Sequence, residues 1–205
     1  MDKLKSLFRI NKKVLVFLLG IVILGVLFGS ILPLFLSIDD KKLVSDYLLS
    51  FTSNIKDGFD SFAFLKNGFF SNFLFLFLIW IMGVSIIGVP VVLFLFFYKC
   101  FIFGFSISSI IVNYGFKGIL FSFAYVFPHQ SINVVIFLIL TCYSFVFSAK
   151  LLGYILRKVE FNVRDAFGKY FKVFCFCFIV LFISILYESF VNPYILSFIF
   201  KLLGI

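Results

Sequence analysis

The sequence predicts an all-α integral membrane protein with about five transmembrane helices and one external amphipathic segment. Its composition is 63% hydrophobic and 13% charged, with a mean hydropathy of +1.22, whereas soluble domains are only about 45–50% apolar. Several apolar runs are long enough to cross a bilayer core of about 30 Å. Lys and Arg gather at the ends of these runs, as the positive-inside rule expects. The net charge of +9 therefore indicates membrane topology and lipid contact, and it does not point to nucleic acid.

The first element is a basic cytoplasmic segment, residues 1–13, followed by a transmembrane helix over residues 14–38. Because this uncharged run exceeds the roughly 7–15 residues of a signal-peptide core, we expect an uncleaved anchor. Gly25 and Gly29 form a GxxxG pair, a spacing that lets another helix approach closely. The pair predicts helix packing, either within the chain or in an oligomer.

The second element, residues 39–72, is predicted to be an external amphipathic loop. Apolar residues recur there every three or four positions, which favours one or two helices with an interruption near Asp57. These helices either rest on the outer leaflet or dock a partner outside the membrane. For the second role the candidate docking residues are Tyr47, Phe51 and Ile55.

Residues 73–112 are apolar apart from Lys99, and the run is long enough for two spans. We expect the turn between them at Lys99, which would then lie at the inner interface, with Pro90 as a helix kink. The other place for a break is the segment from Gly88 to Pro90. Gly83, Gly88 and Pro90 are predicted to serve helix packing.

The sequence predicts a four-helix membrane domain with a short C-terminal tail over residues 73–205. The piece at 113–130 looks too short to cross, and a re-entrant hairpin there stays open. The fourth span is expected at 131–149 and the fifth at 173–189. Six Lys and Arg residues place the 150–172 loop in the cytoplasm, so that twelve of the 18 basic residues lie inside.

No catalytic, metal or cofactor site is predicted. The chain has one His, no phosphate-binding loop and no paired acids within a span. Glu188 is expected near the outer interface, in a structural hydrogen-bonding role or as an ion relay. Pro128, His129 and Asn133 are candidate structural residues near the outer end of the fourth span.

The block IWIMGVSIIGVP at residues 79–90 is the most specific motif of the chain. Together with Lys99, the Gly104–Phe105 pair, Pro128 and the segment around Glu188, it resembles the stage II sporulation protein M family over nearly the whole length. Relatives in that family tend to have Pro-His-Gly-x-x-Glu at the position of Pro128. This chain has Gln and Asn in place of the Gly and Glu, so the resemblance implies a structural role for the position here.

The resemblance implies a non-enzymatic membrane scaffold of endospore-forming bacteria. Such a scaffold lies in the mother-cell membrane at the septum and holds the peptidoglycan hydrolases stage II sporulation proteins D and P during engulfment. The alternative is a small transporter or channel that uses the Gly83–Pro90 break and Glu188. A midplane cavity with convergent polar groups would favour transport, and a packed apolar bundle would favour a scaffold.

Overall fold

The computed structural model describes residues 12–57, 60–85, 87–156 and 162–203, and the regular elements in these ranges are helices. Five stretches are long and apolar enough to cross a membrane, which confirms the predicted all-α fold class. In chain order the elements are α1 (Lys12–Phe35), α2 (Ile38–Asp57), α3 (Ser61–Val84), α4 (Val89–Tyr114), α5 (Phe116–Ile155), α6 (Val163–Leu186), a π-helical turn (Tyr187–Val191) and α7 (Asn192–Leu203).

The amphipathic segment is interrupted where the sequence predicted, because α2 ends at Asp57 and α3 begins at Ser61. Asp60 caps α3: its side-chain oxygen accepts hydrogen bonds from the backbone N–H groups of Phe62 and Ala63, each at 3.1 Å. As a result, residues 61–72 belong to a candidate transmembrane helix.

The expected turn at Lys99 is wrong. The chain turns between Val84 and Val89, and Lys99 lies near the middle of the 26-residue α4. Pro90 is in the first turn of α4, where its fixed φ suits a helix start and its missing N–H costs no internal hydrogen bond. Pro90 therefore starts a helix here, and the expected kink does not form.

The expected start of the fourth span at residue 131 is also wrong. Helix α5 runs unbroken for 40 residues through Pro128, which at about 1.5 Å per residue is roughly twice the thickness of the bilayer core. Residues 116–130 are its first part and form no separate re-entrant leg. Proline is tolerated inside a packed membrane helix because neighbouring groups satisfy the freed backbone.

The fifth span likewise continues beyond its expected end at residue 189. The backbone N–H of Asn192 donates to the carbonyl of Tyr187, which closes the π-helical turn. This wide turn precedes Pro193, so the proline with its missing N–H falls inside a continuous helical path that extends into α7. The predicted C-terminal tail is thus a helical continuation of the span.

The core forms where the five long helices meet. Helix α1 packs along α4, and α5 occupies the centre, in contact with α1, α3, α4 and α6. The fully buried apolar side chains come from several helices, among them Leu18, Leu76, Phe96, Phe137 and Leu181. The outer face of α1 carries exposed apolar side chains, as expected for a surface that faces lipid.

Candidate polar site among the membrane helices

A cavity of about 360 Å³ lies between α3, α4, α5 and the π-helical turn. Apolar residues of the helices form part of its wall. Polar or charged lining residues converge on it from four elements: Ser71, Asn72, Tyr98, Lys99, His129, Gln130, Asn133 and Glu188. We refer to this space as the polar cavity.

His129 and Glu188 form a buried pair at the edge of the polar cavity. The Nε2 atom of His129 lies 3.2 Å from Oε1 of Glu188, and the two side chains are 4% and 12% exposed. The other ring nitrogen, Nδ1, lies 2.8 Å from the carbonyl oxygen of Tyr125. A carbonyl only accepts, so Nδ1 carries a hydrogen and donates it. This contact fixes the orientation of the imidazole toward Glu188.

A hydrogen bond between Nε2 of His129 and Oε1 of Glu188 needs one hydrogen between the two atoms, because neither a bare Nε2 nor a carboxylate oxygen can donate. Either a protonated Nε2 of His129 donates to the Glu188 carboxylate, or a protonated Glu188 donates to a neutral imidazole. Both arrangements are neutral overall and differ only in the position of the proton. The hydrogen bond between His129 and Glu188 therefore forms when the pair carries one proton.

Lys99 faces the polar cavity from α4. Its Nζ donates to Oδ1 of Asn72 at 2.9 Å and lies 4.3 Å from the ring centroid of Phe75 and 5.3 Å from that of Phe137. Aromatic faces attract an ammonium group electrostatically. These contacts allow Lys99 to remain inside the bundle, and they explain why it does not mark an interface.

Lys99 was expected near the inner interface and Glu188 near the outer one. That separation is wrong, because both line the polar cavity. The corrected start of α4 at Val89 brings Lys99 to mid-helix, and the π-helical turn presents Glu188. π-Helical turns occur frequently at functional sites.

Asn133 lines the same cavity and is 8% exposed. Its Oδ1 atom is fully buried and has no hydrogen-bond partner among the described residues. An unpaired buried acceptor is costly. Of the predicted polar cluster, His129 and Asn133 thus reach the cavity, whereas Pro128 is absent from its lining.

A second cavity of about 460 Å³ lies between α2 and the same pair. His129, Gln130 and Glu188 line both cavities. Helix α2 contributes Leu43, Val44, Tyr47 and Leu48 to the second one. The amphipathic helix therefore covers one side of the His129–Glu188 pair.

The predicted docking residues lie on α2. Tyr47 is 71% exposed and borders the second cavity. Phe51 and Ile55 are within the helix, but their side chains lie outside the described residues. Their place in a docking surface stays a prediction.

The predicted packing glycines lie at close contacts. A Cβ at Gly25 would meet Cys100, one at Gly29 would overlap the backbone of Phe101, and one at Gly83 would overlap the side chain of Ser144. A Cβ at Gly88 would overlap the carbonyl of Met82, within the α3–α4 turn. Each position thus needs the absence of a side chain.

In the described parts of the chain, no group of three or more His, Cys, Asp or Glu residues is placed to hold a metal ion.

Lys99, Asn72 and Gln130 were not among the site residues predicted from the sequence. The one signal for Lys99 was a charge within a long apolar run, since intramembrane charges usually have a function. Asn72 and Gln130 carried no signal, because polar amides also occur at helix ends.

The family described as stage II sporulation protein M matches residues 13–193. No curated protein and no solved structure matches the chain. The matched range includes α1 to the π-helical turn and therefore the whole polar cavity.

Proposed function

The chain belongs to the stage II sporulation protein M family, and we propose that it is a non-enzymatic scaffold that recruits peptidoglycan hydrolases at the sporulation septum. Family and fold together make it a sporulation-related, multi-pass membrane protein. The proposed partners are stage II sporulation proteins D and P, held during engulfment. The proposed location is the mother-cell side of the septum, in contact with membrane lipid.

This proposal rests on the exposed surface of α2. Helix α2 is not among the five candidate spans, and in the proposed orientation it lies outside the cytoplasm. It exposes large apolar side chains, with Leu43 68%, Tyr47 71% and Leu49 56% accessible. An amphipathic helix with an unburied apolar face is suited to binding a groove or an anchor on a partner.

The experiment substitutes Ser for Tyr47, Phe51 and Ile55 together and follows both hydrolases in sporulating cells by fluorescence microscopy. We expect normal membrane insertion, because the flanking spans supply the insertion energy, and dispersal of the hydrolases from the septum. The matched control is Ser50→Ala with Ser53→Ala, which removes exposed hydroxyls that donate to carbonyls of α2 itself. Retention of both hydrolases by an inserted triple variant would exclude α2 as the docking site.

A second candidate function is transport of a small solute. It is favoured by the polar cavity, because four helical elements place convergent polar groups in the interior of the bundle. Reconstitution into liposomes tests it: a transporter would move solute across the bilayer, and Glu188→Gln would change the rate. If the protein is a scaffold without transport activity, solute should leak from the liposomes no faster than from protein-free controls.

A further inference from the structure

We propose that the His129–Glu188 pair is a binding site for one proton and acts as a switch. The Glu188 carboxyl bonds to His129 while the pair holds the proton, and it turns to Lys99 when the proton is lost. The inference goes beyond the scaffold proposal and does not depend on it. It rests on the geometry of the pair, on the fixed orientation of the imidazole and on the position of Lys99 in the same cavity.

The structure shows the arrangement in which Glu188 has His129 as its partner. Nε2 of His129 lies 3.2 Å from Oε1 of Glu188, and a hydrogen bond at this distance needs one proton. The bond joins α5 to the π-helical turn. The carbonyl of Tyr125 makes a second link close by, because it also accepts a hydrogen bond from Nδ2 of Asn192 at 3.1 Å. This second link contains no titratable group, so the helices stay joined when the proton is lost.

Loss of the proton leaves two acceptors facing each other. Nδ1 of His129 keeps its hydrogen, because it donates to the carbonyl of Tyr125 at 2.8 Å. Nε2 is then bare, and a bare nitrogen cannot donate to the Glu188 carboxylate. The lone pairs of the two atoms repel each other. The proton passes to solvent, and the carboxylate is left without its partner on α5.

Lys99 is the alternative partner of the carboxylate. It lines the polar cavity together with Glu188, and within the described part of the chain no carboxylate lies at ion-pair distance from its Nζ atom. An ammonium group has three hydrogens, and Nζ donates one of them to Oδ1 of Asn72 at 2.9 Å. Lys99 can therefore donate to Glu188 and keep Asn72. A Glu side chain changes rotamer about single bonds, so the carboxyl can change partners while the helices stay in place.

Each arrangement contains one favourable interaction that the other lacks. With the proton bound, the pair has its hydrogen bond, while the positive charge of Lys99 is stabilised only by Asn72 and by the rings of Phe75 and Phe137. Without the proton, Glu188 compensates that charge and the hydrogen bond is absent. An uncompensated charge among membrane helices and an unpaired buried acceptor are both costly. The pH therefore decides which arrangement is the more stable.

The other groups around the pair keep the same charge through this change. The titratable residues that line the two cavities are Lys99, His129, Glu188, Tyr47, Tyr98 and Tyr125. The tyrosines come from α2, α4 and α5, and phenols are uncharged near neutral pH. Helix α3 adds serine and amide groups, which do not titrate, and the described parts of α1, α6 and α7 add no residue to either lining. The switch thus depends on one carboxyl, one imidazole and one ammonium group.

The test uses the fact that the chain contains one histidine, so that its NMR signals need no assignment. The full chain is labelled with ¹⁵N-histidine, purified through a tag without histidine and placed in lipid nanodiscs. The ¹⁵N shifts of both ring nitrogens are followed from about pH 5 to about pH 9, around the usual pKa of an imidazole. We expect Nδ1 to keep its hydrogen throughout, whereas Nε2 changes from a hydrogen-bonded nitrogen at low pH to a bare one at high pH.

Three variants test the roles of the two partners. Lys99→Met should raise the midpoint of the Nε2 transition by about one pH unit or more, because the lost positive charge favoured the carboxylate. The matched control is Lys150→Met, which removes an exposed lysine and should leave the midpoint unchanged. Glu188→Gln offers Nε2 an amide N–H that does not titrate, so Nε2 should remain hydrogen-bonded at the highest pH.

Three results would overturn the proposal. An Nε2 signal that does not change with pH would exclude a proton site, and loss of the hydrogen from Nδ1 would exclude the fixed imidazole. Both results come from the unmodified chain and do not depend on a variant. An unchanged midpoint in Lys99→Met would exclude Lys99 as the second partner. Folding of this variant is checked by circular dichroism and thermal unfolding in nanodiscs, and Lys99→Gln, which keeps a donor for Asn72, should shift the midpoint in the same direction.

Discussion

Gly29 on α1 lies directly against the backbone of Phe101 on α4, so closely that a Cβ at Gly29 would overlap the carbonyl of Phe101. The contact is reciprocal one turn away, where a Cβ at Gly104 would overlap the carbonyl of Val26. The two helices therefore touch backbone to backbone. The GxxxG face of α1 is used for packing within the chain.

Gly29→Ala is expected to lower the free energy of unfolding by about 1–3 kcal/mol, because the added methyl group must force α1 and α4 apart. The matched control is Gly20→Ala on the same helix, where a Cβ would meet no atom within 4 Å. Thermal unfolding in detergent micelles compares the two. Equal stability of both variants would contradict the close approach of α1 to α4.

Ser148→Ala is expected to destabilise the turn between α3 and α4. The hydroxyl oxygen of Ser148 lies 2.6 Å from the carbonyl oxygen of Gly83 and 3.2 Å from that of Ser85. Its single hydrogen is donated mainly to the nearer carbonyl of Gly83, in the last turn of α3, where carbonyls lack an intrahelical partner. We expect a loss of about 1 kcal/mol, measured by chemical or thermal unfolding. Ser131→Ala is the control, since its hydroxyl contacts only carbonyls of its own helix. If Ser131→Ala lowered the free energy of unfolding as much as Ser148→Ala does, the bond of Ser148 to the α3–α4 turn would not explain the effect.

The orientation of the bundle is testable by labelling of single cysteines in a background without the four native ones. Arg164→Cys at the start of α6 is expected inside, and Lys42→Cys on α2 outside, because the basic loop before α6 favours the cytoplasm. A membrane-impermeant thiol reagent applied to intact cells should label only position 42. Labelling of position 164 alone would invert the orientation.

Hydropathy and charge were enough to predict about five long helices, and the recurrence of apolar residues predicted the break near Asp57. These signals depend on composition over many residues, which the bilayer constrains strongly. The ends of the helices were harder to predict. Pro128 and Pro193 look like helix breakers in the sequence, yet both lie within helical paths, since the packed bundle accommodates a missing N–H group.

The polar cavity could not be predicted from the sequence, because its residues come from distant parts of the chain. Lys99 looked like an interface residue as long as its partner Asn72 and the rings of Phe75 and Phe137 were unknown. Only the fold shows that Lys99 and Glu188 share one cavity. A charge inside an apolar run was the available clue, and the prediction of a turn obscured it.

The central claim, that this chain holds cell-wall hydrolases at the septum, is tested most directly by co-purification. An affinity-tagged chain is solubilised from sporulating cells in mild detergent, and the retained proteins are identified by mass spectrometry, with a tagged unrelated multi-pass membrane protein as control. We expect stage II sporulation proteins D and P both to be retained by this chain and not by the control. Purification of the intact, membrane-extracted chain with neither hydrolase would contradict it.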